Sequence, residues 1–419
     1  MNLLKISWSN LKDKPLTSFL SILLMALGIA IISLLLLAGK QLEEKFTRNV
    51  AGIDMVVGAK GSPLQLILAS IYQIDAPTGN ISLDETNRLT RNPLVKSAIP
   101  LSMGDSYQGY RIVGSNEKYL QHFEAEYESG KVFSEPMEMV LGAKVAKNLE
   151  LKVGDTFASQ HGYDKEGDVH EEKKFKVVGI LKNTNSVLDQ LMVTPLESVW
   201  AVHDEHHEEE VGKGANALKL LEEDTSPTTD DGHHHEEESK EITSMLIKFR
   251  NPAMGMMMAR SINQNTTMQT ASPAIEINRL FALMGFGIDT LKIIALVIII
   301  VSGLSVFVSL YNSLKERKYE MALMLSMGAS RTKLFFLLLL EGLIISSIGF
   351  VIGIALSRLG LWLMSKNVEQ NFHYDFNVLS LLTEELWLFI GALVIGLLAA
   401  AIPSLGIYKI DISRTLADE

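Results

Sequence analysis

The chain has 419 residues, 47% hydrophobic and 21% charged, with a formal net charge of −11 and no cysteine. The missing cysteines exclude disulfide stapling and thiol redox chemistry, and the acidic balance speaks against a nucleic-acid partner. The apolar residues are gathered in four runs of roughly 20 residues, long enough to cross a bilayer, which excludes an ordinary water-soluble globule.

The first run, Phe19 to Gly39, follows Lys5, Lys12 and Lys14. It is too long for a signal peptide and lacks a small-residue cleavage site, so it reads as a retained anchor, transmembrane helix 1 over 16–39, behind an amino-terminal segment 1–15. Residues 40–289 have the patterning of a folded α+β domain inserted between the first and second spans. Glu85 to Asn92 predicts a helix, Val95 to Leu101 and Tyr110 to Val113 predict strands, and Met139 to Leu141 predicts a strand entering a helix over Ala143 to Leu149. Gly154 and Asp155 form a turn, and Phe175 to Leu181 is a β-rich run. The Gly-rich GAKGSP at Gly58 to Pro63 lacks the spacing of a phosphate-binding loop, so ATP hydrolysis is not expected in this chain.

Between Val202 and Glu241 the composition turns acidic, with 14 carboxylates against three lysines, a difference that alone equals the net charge of the chain. The same stretch holds His203, His206, His207, His233, His234 and His235. His203, His206 and His207 would share one helical face, and imidazole with nearby carboxylate suits Zn2+. So polar a segment cannot bury a core, so it reads as a disordered, solvated insert with weak metal capture as an accompanying candidate property. Ile242 to Phe249 then predicts a strand. Met254, Met256, Met257 and Met258 read as adaptable packing on a helix, with Cu(I) ligation the alternative. Residues 273 to 289 lead back to the membrane with Ile275, Leu280, Phe281, Leu283 and Met284 as an apolar face.

The second span is centred on Ile293 to Leu310 (290–312). After it comes SLKERKYEMALMLSMGASRTK, from Ser313 to Lys333. Ser313 and Glu316 have capping-box spacing, while Tyr319, Leu323 and Met327 fall on one helical face with Glu316 and Glu320 stacked beside it. Gly328 can end that helix in a left-handed conformation and Ser330 can cap the next. The prediction is a short helix at a membrane surface. The third span (334–357) contains Glu341, about 12 Å along a helix from Lys333, and a carboxyl at that depth is turned inward or paired. It is either a latch to another span or to the amino-terminal segment, or a neutral, hydrogen-bonded group at a helix interface. A loop over 358–385 leads to the fourth span (386–407) and a tail (408–419). The basic residues cluster in the amino-terminal flank, in the 313–333 loop and in the tail, whereas the 358–385 loop is acidic on balance. By the positive-inside rule both termini and the 313–333 loop are cytosolic, and the inserted domain is extracytoplasmic.

One anchor, a large inserted domain and three clustered spans is a topology that resembles the FtsX-like permeases, the type VII ABC transporters that include MacB and LolC/LolE. ERKYEMALMLSMGASRTKLFFLLLLEG, Glu316 to Gly342, is similar to the family's motif through Glu316, Arg317, Glu320, Gly328, Ala329 and Glu341-Gly342. VLGAKVAKNLELKVGDTF (Val140 to Phe157) and FKVVGILKNTNSVLDQLMVTPLESV (Phe175 to Val199) resemble its MacB-like periplasmic core. The chain departs from the pattern at Met324 or Leu325, where family members often carry an arginine.

The resemblance implies that the 313–333 loop is a coupling helix docked on a separate cytosolic ABC ATPase, which binds the ATP. Glu316, Arg317 and Glu320 would make polar contacts there, and Tyr319, Leu323 and Met327 would pack against the groove or the bilayer; a plain interfacial connector is the alternative. It also implies a homodimer, or a heterodimer with a related permease, in a bacterial inner membrane with lipid around it, and a periplasmic adaptor or substrate-binding protein as a further candidate partner. The expected function is mechanotransmission for export, extraction or metal-linked transport, with no intrinsic cofactor or catalytic residue. The alternatives are a non-transporting transmitter that regulates an envelope enzyme, and a membrane-bound enzyme, for which no HExxH or GxSxG pattern occurs.

Overall fold

The computed structural model describes residues 3–13, 15–162, 169–202, 240–251, 253, 255–372, 377–409 and 415. They form two compact units, one of Met1–Glu43 with Ala282–Glu419 and one of Glu44–Phe281. The chain opens with α1 (Leu3–Asp13) and α2 (Pro15–Val50), the second carrying the first apolar run.

The inserted unit is a 10-stranded sheet with helices around it. Its strands are β1 (Met55–Ala59), β2 (Ile81–Ser82), β3 (Val95–Tyr107), β4 (Tyr110–Ser115), β5 (Tyr127–Gly130) and β6 (Glu138–Leu141), then β7 (Thr156–His161), β8 (Val169–Leu181), β9 (Leu191–Pro195), β10 (Glu241–Ile242), β11 (Ser244–Phe249) and β12 (Met268–Ala271). Between them lie α3 (Pro63–Ser70), α4 (Leu83–Thr90), α5 (Glu117–His122), α6 (Ala143–Leu149), α7 (196–202) and α8 (Gly255–Asn265). The strand order is β12-β1-β11-β3-β4-β9-β6-β8-β5, with β7 against β3 and β8; β2 and β10 pair separately.

The long strand β3 spans two lobes. Its first half pairs with β11 and its second half with β4. Each lobe has its own core: Met55, Val57, Met245, Ile247 and Phe249 on one side, and Ile112, Met139, Leu141, Phe175, Val177 and Met192 on the other. The central strands are covered on both faces, with β1, β9 and β11 buried almost without interruption, and their β-branched and other apolar side chains fill the cores. Within this unit the end of α2 is anchored by Phe46, whose ring lies 4.4 Å from Tyr72 and 5.8 Å from Phe281, and by Asn49, which accepts the Val187 N–H at 2.9 Å.

The other unit is a helical bundle completed by α9 (Pro273–Glu316), α10 (Lys318–Ser326), α11 (Arg331–Phe372) and α12 (Thr383–Leu405). α2, α9, α11 and α12 are the four helices long and apolar enough to cross a membrane. Each outruns its apolar core, because helical hydrogen bonding continues through the flanking polar residues. Thus α11 does not stop before Arg358, and residues 358–372, placed in a loop by hydropathy, are helical. Small residues set the closeness of the packing. A side chain on Gly342 would put Cβ 2.6 Å from Ala400 Cβ and 2.7 Å from the Gly396 carbonyl oxygen, so α11 and α12 meet nearly backbone to backbone. Ile293, Val297, Ile300, Leu304 and Val308 leave one side of α9 apolar and exposed, as expected of a surface that meets lipid.

Candidate functional site

The segment between α9 and α11 is built in two layers. α9 runs without a stop through Ser313, whose carbonyl accepts the Arg317 N–H at 3.0 Å. The Ser313/Glu316 pair is therefore interior to the end of a helix and does not start one. The break falls at Arg317, which caps α10 with a non-helical backbone (φ −97°, ψ 14°). Glu320 is held by Arg317, with Nε to Oε2 at 2.9 Å. Arg317 also reaches Asp13 of α1 at 3.7 Å.

Along α10, Met321 and Ala322 are buried in a cluster with Leu314, Leu334, Leu337, Leu338 and Ile407. Tyr319, Leu323 and Met327 point away from it and are 41%, 45% and 75% exposed. The helix ends in a Schellman arrangement: the Ala329 N–H donates to the Met324 carbonyl at 2.9 Å and the Gly328 N–H to Leu325 at 3.1 Å. Gly328 has φ +94°, which a side chain would oppose. Ser330 then caps α11, accepting from the Lys333 N–H at 3.3 Å. This double-faced helix is thus packed on the bundle through Met321 and Ala322 and exposed along Tyr319, Leu323 and Met327.

Glu341 lies one helical stretch further on, 2% exposed, and accepts a hydrogen bond from Asn10 Nδ2 of α1. Ser7, one turn earlier on α1, donates to the Leu337 carbonyl at 3.2 Å. The amino-terminal helix is thereby joined to α11 near the α9–α11 connection.

A second buried polar cluster has no counterpart in the sequence reading. Arg358 Nη2 lies 2.8 Å from both carboxylate oxygens of Glu385 and 2.9 Å from the Ser380 carbonyl. Ser33 of α2 donates to Glu385 Oε1 at 2.7 Å and is 2.9 Å from Ser357 Oγ. Gln41 brackets the adjoining turn, donating to the Asn377 carbonyl at 2.9 Å and accepting the Asn377 N–H at 2.7 Å. Arg358 and Glu385 fall just outside the apolar runs, so hydropathy assigns them to solvent; their opposite charge at the facing ends of consecutive spans was the available signal.

His203, His206, His207, His233, His234 and His235 lie outside the described residues, as does Met254. Among the described residues no group of three or more His, Cys, Asp or Glu side chains could hold a metal ion. Met256 and Met257 are exposed on α8. GAKGSP is a β1-to-α3 connection in which Ser62 caps α3, and a Cβ on Gly58 would fall 2.4 Å from Leu66, so this glycine serves close packing.

Two family models match the chain: MacB-like periplasmic core domain over residues 18–229, about half of the chain, and FtsX-like permease C-terminal over residues 292–412. No curated protein matches. Among solved structures, the periplasmic region of MacB from Actinobacillus actinomycetemcomitans is similar at 11% identity, covering 56% of this chain and 97% of its own, with a TM-score of 0.34. The extracellular domain of the noncanonic ABC-type transporter YknZ from Gram-positive bacteria is similar at 12% identity, covering 52% of this chain and 99% of its own, with a TM-score of 0.30. With four membrane-spanning helices and an α+β domain between the first two, this chain belongs to the MacB/FtsX-type ABC transporter permeases.

Proposed function

We propose that this chain is the mechanotransmission subunit of its transporter. A cytosolic ABC ATPase docks on α10, and nucleotide-driven closure of that partner moves the bundle and, through α2 and α9, the inserted domain. In this reading the termini and α10 face the cytosol of a bacterium, the inserted domain lies beyond the inner membrane, and the chain works paired with a second copy or a related permease. The basic flanks around α1, α10 and the tail support that sidedness.

The observation that carries the proposal is the two-sided build of α10. Met321 and Ala322 share a core with Leu334, Leu337 and Leu338, so a push on α10 is delivered to α11 without slack. Tyr319, Leu323 and Met327 supply the apolar contact area and Glu320, oriented by Arg317, a charge at its rim. Moving a rigid lever requires no channel, which suits a permease whose work is extraction or export from the far side.

The test is co-purification of the membrane chain with the ATPase that accompanies the wild type. Leu323→Asp with Met327→Asp, and separately Glu316→Lys with Glu320→Lys, should abolish or strongly weaken ATPase recovery while the permease still elutes as a folded species. Undiminished recovery with both variants would refute docking at α10.

A further inference from the structure

We propose that the outward face of α1 is a docking surface for anionic lipid headgroups, seated in the interfacial layer through Leu4 and Trp8 and held there by Lys5 and Lys12. The inward face is fully used. Ser7 and Asn10 bond to α11, and Leu3 and Ile6 pack on the Met321 cluster. That fixes which residues turn away, and among them Leu4 is 59% and Trp8 49% exposed, one helical turn apart. Lys12 continues the same stripe with its Nζ 5.8 Å from the Trp8 ring centre, and Lys5 lies beside it. Asp13, the acidic residue of α1, is engaged with Arg317.

A helix against bulk water has no reason to present Trp8 and Leu4, and one sunk in hydrocarbon would not carry two lysines. The zone that accepts both is the headgroup layer, where Trp settles with its ring in the acyl boundary and basic residues meet phosphate. α2 begins at Pro15 and immediately shows Leu16 and Phe19, 78% and 61% exposed, so the apolar surface continues into the span. Anionic headgroups fit because the free charges on this face are lysines, and such attraction is strong near a charged leaflet and screened by salt. The face offered to a protein partner on α10 is different in kind, carrying Glu320 beside its apolar stripe. The inference rests neither on the sidedness of the chain nor on the docking of an ATPase.

The test uses the full chain with Trp200, Trp362 and Trp387 changed to Phe, leaving Trp8 as the fluorophore. It is reconstituted in mixed phosphatidylcholine and phosphatidylglycerol vesicles in which one lipid at a time carries brominated acyl chains. Brominated phosphatidylglycerol should quench Trp8 at least about twofold more than brominated phosphatidylcholine at equal mole fraction. Lys5→Gln with Lys12→Gln, or high salt, should erase the difference. Equal quenching by the two lipids in the parent protein would overturn the proposal, and so would no quenching by either, which would put a protein partner on this face. Should the triple Phe background not fold, hydrogen exchange in nanodiscs with native tryptophans replaces it. Amides over Leu4 to Lys12 should then exchange severalfold more slowly in phosphatidylglycerol than in phosphatidylcholine, and equal rates would overturn the proposal.

Discussion

Arg358 and Glu385 form a buried ion pair in which one guanidinium nitrogen contacts both carboxylate oxygens at 2.8 Å, with the two side chains 14% and 6% exposed. They come from α11 and α12, and Ser33 ties the carboxylate to α2. Three of the four spans therefore converge on one charge pair, while about 24 Å along α11 from it the close contact of Gly342 with Gly396 holds α11 to α12. In the proposed mechanism this joint lets displacement of α11 reach α2, the helix that runs on into the inserted domain.

The pair makes an asymmetric prediction. Arg358→Met or Glu385→Leu alone strands the remaining charge in a poorly solvated site and should cost about 3–5 kcal/mol of bundle stability. The double variant removes both charges and should recover most of that loss. Thermal or denaturant unfolding of the full chain in detergent measures all three. Single variants no worse than the double would show that the two charges are not coupled.

Hydropathy and residue spacing revealed the four spans, the α+β character of the insert and the α10 stop at Gly328, because each is encoded locally: an apolar run, alternation, a glycine at a helix end. Several strands were also legible, since Val95 to Leu101 and Phe175 to Leu181 are β-rich whatever surrounds them. What escaped depends on partners far along the chain. β1 and β12 are short segments that acquire meaning only by pairing across more than 200 residues, Val56 with Ala271 for example. The Arg358–Glu385 pair was hidden for a different reason. Hydropathy ends a span at the first charge, whereas the helix continues and a neighbouring span supplies the countercharge.

Asn10 and Glu341 give a second prediction. Asn10→Ala deletes a donor from a buried carboxyl and should lower stability by about 1–3 kcal/mol. Glu341→Gln keeps an oxygen able to accept from Asn10 and should be milder. If α1 is held to α11 through this contact, Asn10→Ala also raises hydrogen exchange over α1 while leaving α12 unchanged. Unaltered exchange over α1 would assign its anchoring to Ser7 and the apolar contacts alone.

His122 supplies a prediction for the inserted domain. Burial, reinforced by the charge of Lys248, holds its pKa below the ordinary histidine value. Both groups crowd the turn at Gly52, where a Cβ would lie 3.2 Å from His122 Cε1 and 3.2 Å from Lys248 Nζ. The unfolded chain takes up this proton at the ordinary value of about 6.5, while the folded domain resists it until lower pH. Below that value the unfolded state binds more protons, so this site's stabilising contribution is complete above it and is lost as pH falls through the window down to the folded value. The melting temperature of the full chain should therefore drop on acidification from about pH 7 to about pH 5.5. His122→Phe, which keeps a ring against Phe123, should flatten that drop, and Lys248→Met, which removes the nearby positive charge, should reduce it in part. An acid profile unchanged in His122→Phe would assign the sensitivity to other groups.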